Sequence, residues 1–120
     1  MIPEIIDTPT GSYVRAMPNS GILTNERDLL DLIAACGEIE TNRLLLEESL
    51  LHPDFFDLSS GLAGAVLLKL SIYRVKTAVL ANLSAIKSKP FQDLIRESNK
   101  RGPIHFFDTR AAAEAWLTEN

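Results

Sequence analysis

Cysteine occurs once in the 120 residues, at Cys36, and histidine only twice. A single cysteine excludes an internal disulfide. His52 and His105 have no Cys or carboxylate at an established ligand spacing, so neither a metal site nor a cofactor is expected. Positive charge is also short, with 12 Lys and Arg against 16 Asp and Glu, a formal charge of -4. That balance does nothing to favour a polyphosphate backbone, so nucleic acid is not an expected partner. Long apolar runs are missing too. The longest, Gly61 to Leu68, stops at Lys69, well short of the roughly 20 residues a membrane span requires. The start, Met1-Ile2-Pro3-Glu4, has no basic segment ahead of an apolar one. A reducing, cytoplasmic setting is the expectation. The motifs of several enzyme classes are absent as well: there is no Gly-x-Ser-x-Gly elbow and no dinucleotide fingerprint. Gly61-Leu62-Ala63-Gly64 has neither the spacing nor the lysine of a phosphate loop.

What is present is 46% hydrophobic residues, enough for one core and one domain over residues 1–120. Ile2 to Asp7 and Tyr13 to Met17 are β-type runs around Thr8-Pro9-Thr10-Gly11-Ser12, which predicts an N-terminal hairpin. After the Pro18-to-Gly21 loop, Asn25 and Asp28 form a capping pair ahead of Leu29, Leu32, Ile33 and Cys36 at helical spacing, and Gly37 is expected to end that helix. Leu44-Leu45-Leu46 fits a strand covered on both faces. From Asp57 the run Leu58-Ser59-Ser60-Gly61 through Leu68 predicts a serine-capped helix with almost no polar face before Lys69 and Arg74. Lys76 to Ala81 follows as a buried strand. Pro90 sits in the first turn of a helix lined by Phe91, Leu94, Ile95 and Ser98, Ile104 to Phe107 is the last strand, and Asp108 or Thr109 caps a final helix. The order β-β-α-β-α-β-α-β-α predicts an α/β mixed sheet with right-handed crossovers.

Four separated motifs resemble a family of small bacterial proteins grouped as a domain of unknown function. They are Pro53 to Leu58, Leu62-Ala63-Gly64, Tyr73-Arg74 and Glu97-Ser98-Asn99. That resemblance implies no activity. More distantly, Asp57-Leu58-Ser59-Ser60-Gly61-Leu62 is similar to the Asp-Ser-Ser-Gly-Leu turn of STAS domains, the fold of anti-sigma-factor antagonists. Leu58 is inserted here between the Asp and the Ser pair. The close from Phe106 to Leu117 looks like the Ala-x-x-Trp-Leu ending of STAS-like proteins grouped with lipid-binding ones. The resemblance implies a STAS-like sheet and a regulatory phosphoserine at the turn.

Candidate sites follow, each beside a plainer reading. Ser59 and Ser60, at a helix start, offer a phosphosite, or else a cap and a packing residue. Gly61, Gly64 and Ala65, bordered by Lys69, leave a shallow patch that a partner helix or a second copy fits, or else they pack the helix on its own sheet. Asp57, Arg74, Glu97 and Asn99 could converge in a polar cleft, or else serve separately as caps and solvated charges. Cys36, on an apolar helix face, is expected to be an unreactive core thiol. The leading expectation is a non-enzymatic, STAS-like regulatory or interaction domain, with a homodimer among its partners. One alternative is a module binding a small apolar ligand or lipid between the Leu62 helix and Phe55-Phe56. The other is an enzyme using Asp57, Arg74 and Glu97.

Overall fold

A computed structural model describes residues 1–119 of the chain. It opens with a hairpin in which β1 (Pro3–Thr8) lies antiparallel to β2 (Gly11–Ala16). The strands reach further into the turn than the sequence suggested, because Pro9 and Thr10 alone make the loop. Thr8 Oγ1 donates to the Gly11 carbonyl at 2.7 Å and closes it.

Asn25 Oδ1 accepts from the Arg27 N–H at 2.9 Å, and the Asp28 carboxylate accepts from the N–H groups of Thr24 and Asn25. This reciprocal cap starts a 3₁₀ turn (Glu26–Leu29) that runs on into α1 (Leu30–Glu38). Gly37 does not end the helix. It stays helical and its missing Cβ would meet nothing, whereas the left-handed residue is Glu40, at φ 54°. The Thr41 N–H reaching back to the Cys36 carbonyl at 2.9 Å completes that ending.

The strand β3 (Arg43–Glu47) buries all three of its leucines. Three 3₁₀ turns (Glu48–Leu50, Pro53–Phe56 and Leu58–Ser60) lead into α2 (Leu62–Ile72), which returns the chain to β4 (Lys76–Leu80). α3 (Lys89–Lys100) starts under a Ser88 cap with Pro90 in its first turn, and β5 (Ile104–Phe107) follows. Thr109, rather than Asp108, caps α4 (Arg110–Leu117), accepting from the Ala112 N–H at 3.2 Å.

Among the described residues there are thus four α-helices and a five-stranded mixed sheet in the order β1-β2-β3-β4-β5, antiparallel only between β1 and β2. The crossovers advance in one direction across the sheet. Crossovers of one hand that never reverse place their helices on a single face. Side chains of α1, α2 and α3 accordingly share one core with Val14, Leu44, Leu46, Val79 and Phe106. Residues of opposite strand parity, Tyr13, Leu45 and Ala78, pack instead on Ala113 and Leu117 of α4. α4 is pinned by Lys76, whose ammonium donates to the Trp116 carbonyl at 2.7 Å and lies 4.6 Å from the centre of the Trp116 ring. No helix among the described residues is long and apolar enough to cross a membrane.

Candidate functional site

The turn before α2 is built from its own hydrogen bonds. Asp57 Oδ1 accepts from both the N–H (3.1 Å) and the hydroxyl (2.7 Å) of Ser59. Ser60 Oγ donates to the Asp54 carbonyl at 2.6 Å and accepts from the Leu62 N–H at 3.2 Å. The residue at the head of α2 is not a serine. It is Gly61, at φ 81°, a left-handed geometry that a side chain would strain. Ser59 and Ser60 are both exposed, and a phosphate on Ser59 would stand against the Asp57 carboxylate it now bonds.

Beyond this turn, α2 is apolar except for Lys69 and Ser71, and only part of it is covered. Ala63, Val66 and Leu70 face the core, while Leu68 and Ile72 point to solvent with 62% and 67% of their surface exposed, beside Tyr73 at 52%. A Cβ built on Gly61 or Gly64 would touch nothing within 4 Å, so neither glycine serves close packing on the sheet. That corrects the internal-packing alternative for these glycines. Ala65, Leu68, Lys69, Ile72 and Tyr73, with Glu26 from the first 3₁₀ turn, line a shallow depression of about 340 Å³ on this face.

Among the described residues no ion pair joins any two of the four residues considered for a polar cleft. Asp57 precedes α2 and Arg74 follows it, and an 11-residue helix holds its ends about 16 Å apart. Arg74 adopts φ 56° and offers its carbonyl to the Asn42 side chain at 3.5 Å. Glu97 lies in the last turns of α3, 3.7 Å from Lys100. The side chain of Asn99 is committed to β5: its Oδ1 accepts from the Phe106 N–H at 2.7 Å and its Nδ2 donates to the Phe106 carbonyl at 3.3 Å. Asn99 thus satisfies the open edge of the outermost strand, as a neighbouring strand would.

A different polar cluster emerges on the α4 face, where that short helix leaves part of the sheet bare. Arg15 on β2 binds Glu4 of β1 at 2.9 Å and Glu47 of β3 at 3.0 Å, and Arg110 at the head of α4 lies 3.8 Å from Glu47. Arg110 also donates to the Tyr13 hydroxyl at 3.4 Å, and that hydroxyl donates to Glu114 at 2.6 Å. Burial would lower the Arg15 pKa, but the hydrogen bonds to Glu47 and Glu4 outweigh it and hold the guanidinium above its ordinary value. Burial, then the bond to Glu114, raises Tyr13. None of these residues was singled out from sequence. The available signal was parity, since Glu4, Arg15 and Glu47 each stand two positions from an apolar residue of the same sheet face. Glu47 and Arg110 also border an open depression of about 430 Å³ with Glu48, Asn82 and Asp108, at the carboxyl ends of β3, β4 and β5.

A family model described as "Domain of unknown function (DUF4180)" matches residues 10–117, from the end of the hairpin turn to the end of α4. The chain belongs to that family. No curated protein and no solved structure matches it. For this family member the remaining candidates are quickly placed. Phe55 is fully buried, edge to face with Phe56, Phe91 and, through Phe91, Phe106, at centroid distances of 5.2 to 5.9 Å. The pair Phe55-Phe56 is therefore core rather than the wall of a pocket shared with α2. Phe56 does border a separate depression of about 300 Å³ with Pro53, Ala85 and Ile86. Cys36 is buried, and burial pushes its thiol up to about 11, out of the nucleophilic range. Among the described residues no three His, Cys, Asp or Glu side chains are grouped to hold a metal ion.

Proposed function

We propose that this domain works by protein contact, as a non-enzymatic regulatory or interaction module, and that the outward face of α2 is its contact surface. One observation carries the reading: Leu68 and Ile72 of α2 and Tyr73 just past it are more than half exposed, on a segment whose polar residues are only Lys69 and Ser71. Scattered exposed apolar residues are ordinary, but a contiguous apolar strip on one helix is the mark of an interaction site. The similarity of the Asp57-to-Leu62 turn to STAS domains belongs to the same proposal, as does a cytoplasmic bacterial setting. Ser59 and Ser60 flank the strip, where a partner would touch them.

The two alternatives have less behind them. A small apolar ligand between α2 and Phe55-Phe56 would have to displace a packed aromatic cluster, leaving only the open depression at Phe56. An enzyme using Asp57, Arg74 and Glu97 has less support, since Asp57 and Arg74 stand at opposite ends of α2.

The test is a photo-crosslinking amino acid placed at Leu68 and, as a control, at the exposed Glu38 on α1, in cells that make the protein. A protein adduct from position 68 but not from 38 is the expected result. Equal adducts from both positions, or none from 68, would overturn the reading.

A further inference from the structure

Resting on the reading of α2 as a contact face, we infer that the occupant of that face is a second copy of the same chain, packed α2 against α2 in antiparallel fashion about a two-fold axis. The strip is graded in size along α2. Its first half is small, Gly61, Gly64 and Ala65, and its second half is large, Leu68, Lys69, Ile72 and Tyr73, with the exposed Ser71 at its margin. All border the exposed side, opposite Ala63, Val66 and Leu70.

An isologous interface must be complementary to itself, so that whatever residue i meets on the partner also meets residue i in return. A two-fold axis crossing α2 midway between Ala65 and Leu68 meets this condition at each step. Leu68 falls opposite Ala65 of the second copy, and Ile72 opposite Gly61. Each of these two large side chains lies over a small one, which lets the helices approach closely and leaves no bulky pair facing another at the centre. A parallel arrangement would instead set large against large at one end and leave a gap at the other.

Charge agrees with the same register. Glu26 stands beside Ala65, bordering the depressions on both sides of it. Neither Glu26 nor Lys69 takes part in an ion pair among the described residues, although both border the same depression. Antiparallel pairing brings Lys69 of the second copy alongside Ala65, on the flank of α2 where Glu26 stands. The axis repeats the pair, giving two opposite-charge contacts at the rim of an apolar centre.

The experiment mixes Ala65→Cys chains with Leu68→Cys chains under mild oxidation, against a background in which the native Cys36 is buried. The register predicts that the mixed 65–68 disulfide exceeds either like-with-like product by about tenfold, against about twofold for random encounter, because disulfide geometry is strict. In parallel, Glu26→Lys or Lys69→Glu should each weaken self-association about tenfold, and the two reversals in one chain should restore it. A random disulfide ratio, or a double reversal that fails to restore association, would overturn the antiparallel pairing. A chain that stays at 13.3 kDa at every concentration would overturn the second copy as occupant. If position 68 still crosslinks to a different protein in that case, the contact reading survives and only this inference fails; no adduct at all would sink both.

Discussion

The hydroxyl of Tyr13 on β2 donates a 2.6 Å hydrogen bond to Glu114 on α4, joining residues 101 positions apart in sequence. With Thr10 donating to Thr118 at 2.8 Å and Lys76 to the Trp116 carbonyl at 2.7 Å, both at the carboxyl end of the helix, it fastens α4 to the sheet face that the other helices leave open. Tyr13→Phe keeps the buried ring and removes the donor to a carboxylate. It should cost about 1.5–3 kcal/mol of stability, measured by urea unfolding. The tyrosine pKa is raised on folding, so its contribution is complete below the unfolded value near pH 10 and is lost as pH rises through the higher folded value. The wild-type advantage over Tyr13→Phe should therefore shrink only above about pH 10.

Trp116 gives a second, spectroscopic handle on α4. The His105 ring stacks on it with centroids 4.3 Å apart, and His105 is held below its ordinary pKa by burial first and by the nearby Lys76 charge, with its bond to the Gly102 backbone carbonyl and the charge of Glu119 acting the other way. A histidine whose folded pKa is depressed favours the neutral form on folding. Stability then falls as pH drops below the unfolded value of about 6.5 and levels off beneath the folded one. Trp116 emission should be quenched over that interval as the imidazolium forms against it. In His105→Gln both the acid-side loss of stability and the fluorescence change should disappear.

Asn99 separates a structural role from a role in a site. Asn99→Ala removes both bonds to the Phe106 backbone and should cost about 1–2 kcal/mol, read from the shift in the urea midpoint. Self-association should be unchanged when corrected for stability. Phe91→Ala, in the centre of the aromatic cluster, should cost about 3–5 kcal/mol.

Much of this architecture was legible residue by residue. Alternation and turn formers located the hairpin; the Asn25-Asp28 pair and Pro90 located two helix starts, because their preferences come from local sterics and unpaired N–H groups. Gly37 misled for the converse reason: glycine permits a left-handed ending without requiring one, and the chain uses Glu40. The scarcity of polar residues on α2 was visible in sequence, where Gly61, Gly64, Ala65 and Lys69 stood as a candidate patch beside a packing alternative. What could not be read was which part of the helix the core covers, since a helix with so few polar residues has no preferred inward side. Convergence of distant charges was equally out of reach. Arg15, Glu47 and Arg110 meet through strand register, while Asp57 and Arg74 are parted by the direction in which α2 returns.

The strip on α2 also separates stability from association. Leu68 lies in solvent in the single chain, so Leu68→Asp should change unfolding free energy by less than about 0.5 kcal/mol. If Leu68 is a contact, the same substitution places two buried carboxylates near the axis of the pair.

Sedimentation of the wild-type chain across a wide concentration range, beside Leu68→Asp, tests the central claim most directly. The account predicts a wild type that rises with concentration to twice the 13.3 kDa chain mass, and a Leu68→Asp variant that stays at the single-chain mass with unaltered unfolding. A wild type that dimerises equally well with Asp at position 68 would contradict it, because the second copy would then be held by some surface other than α2.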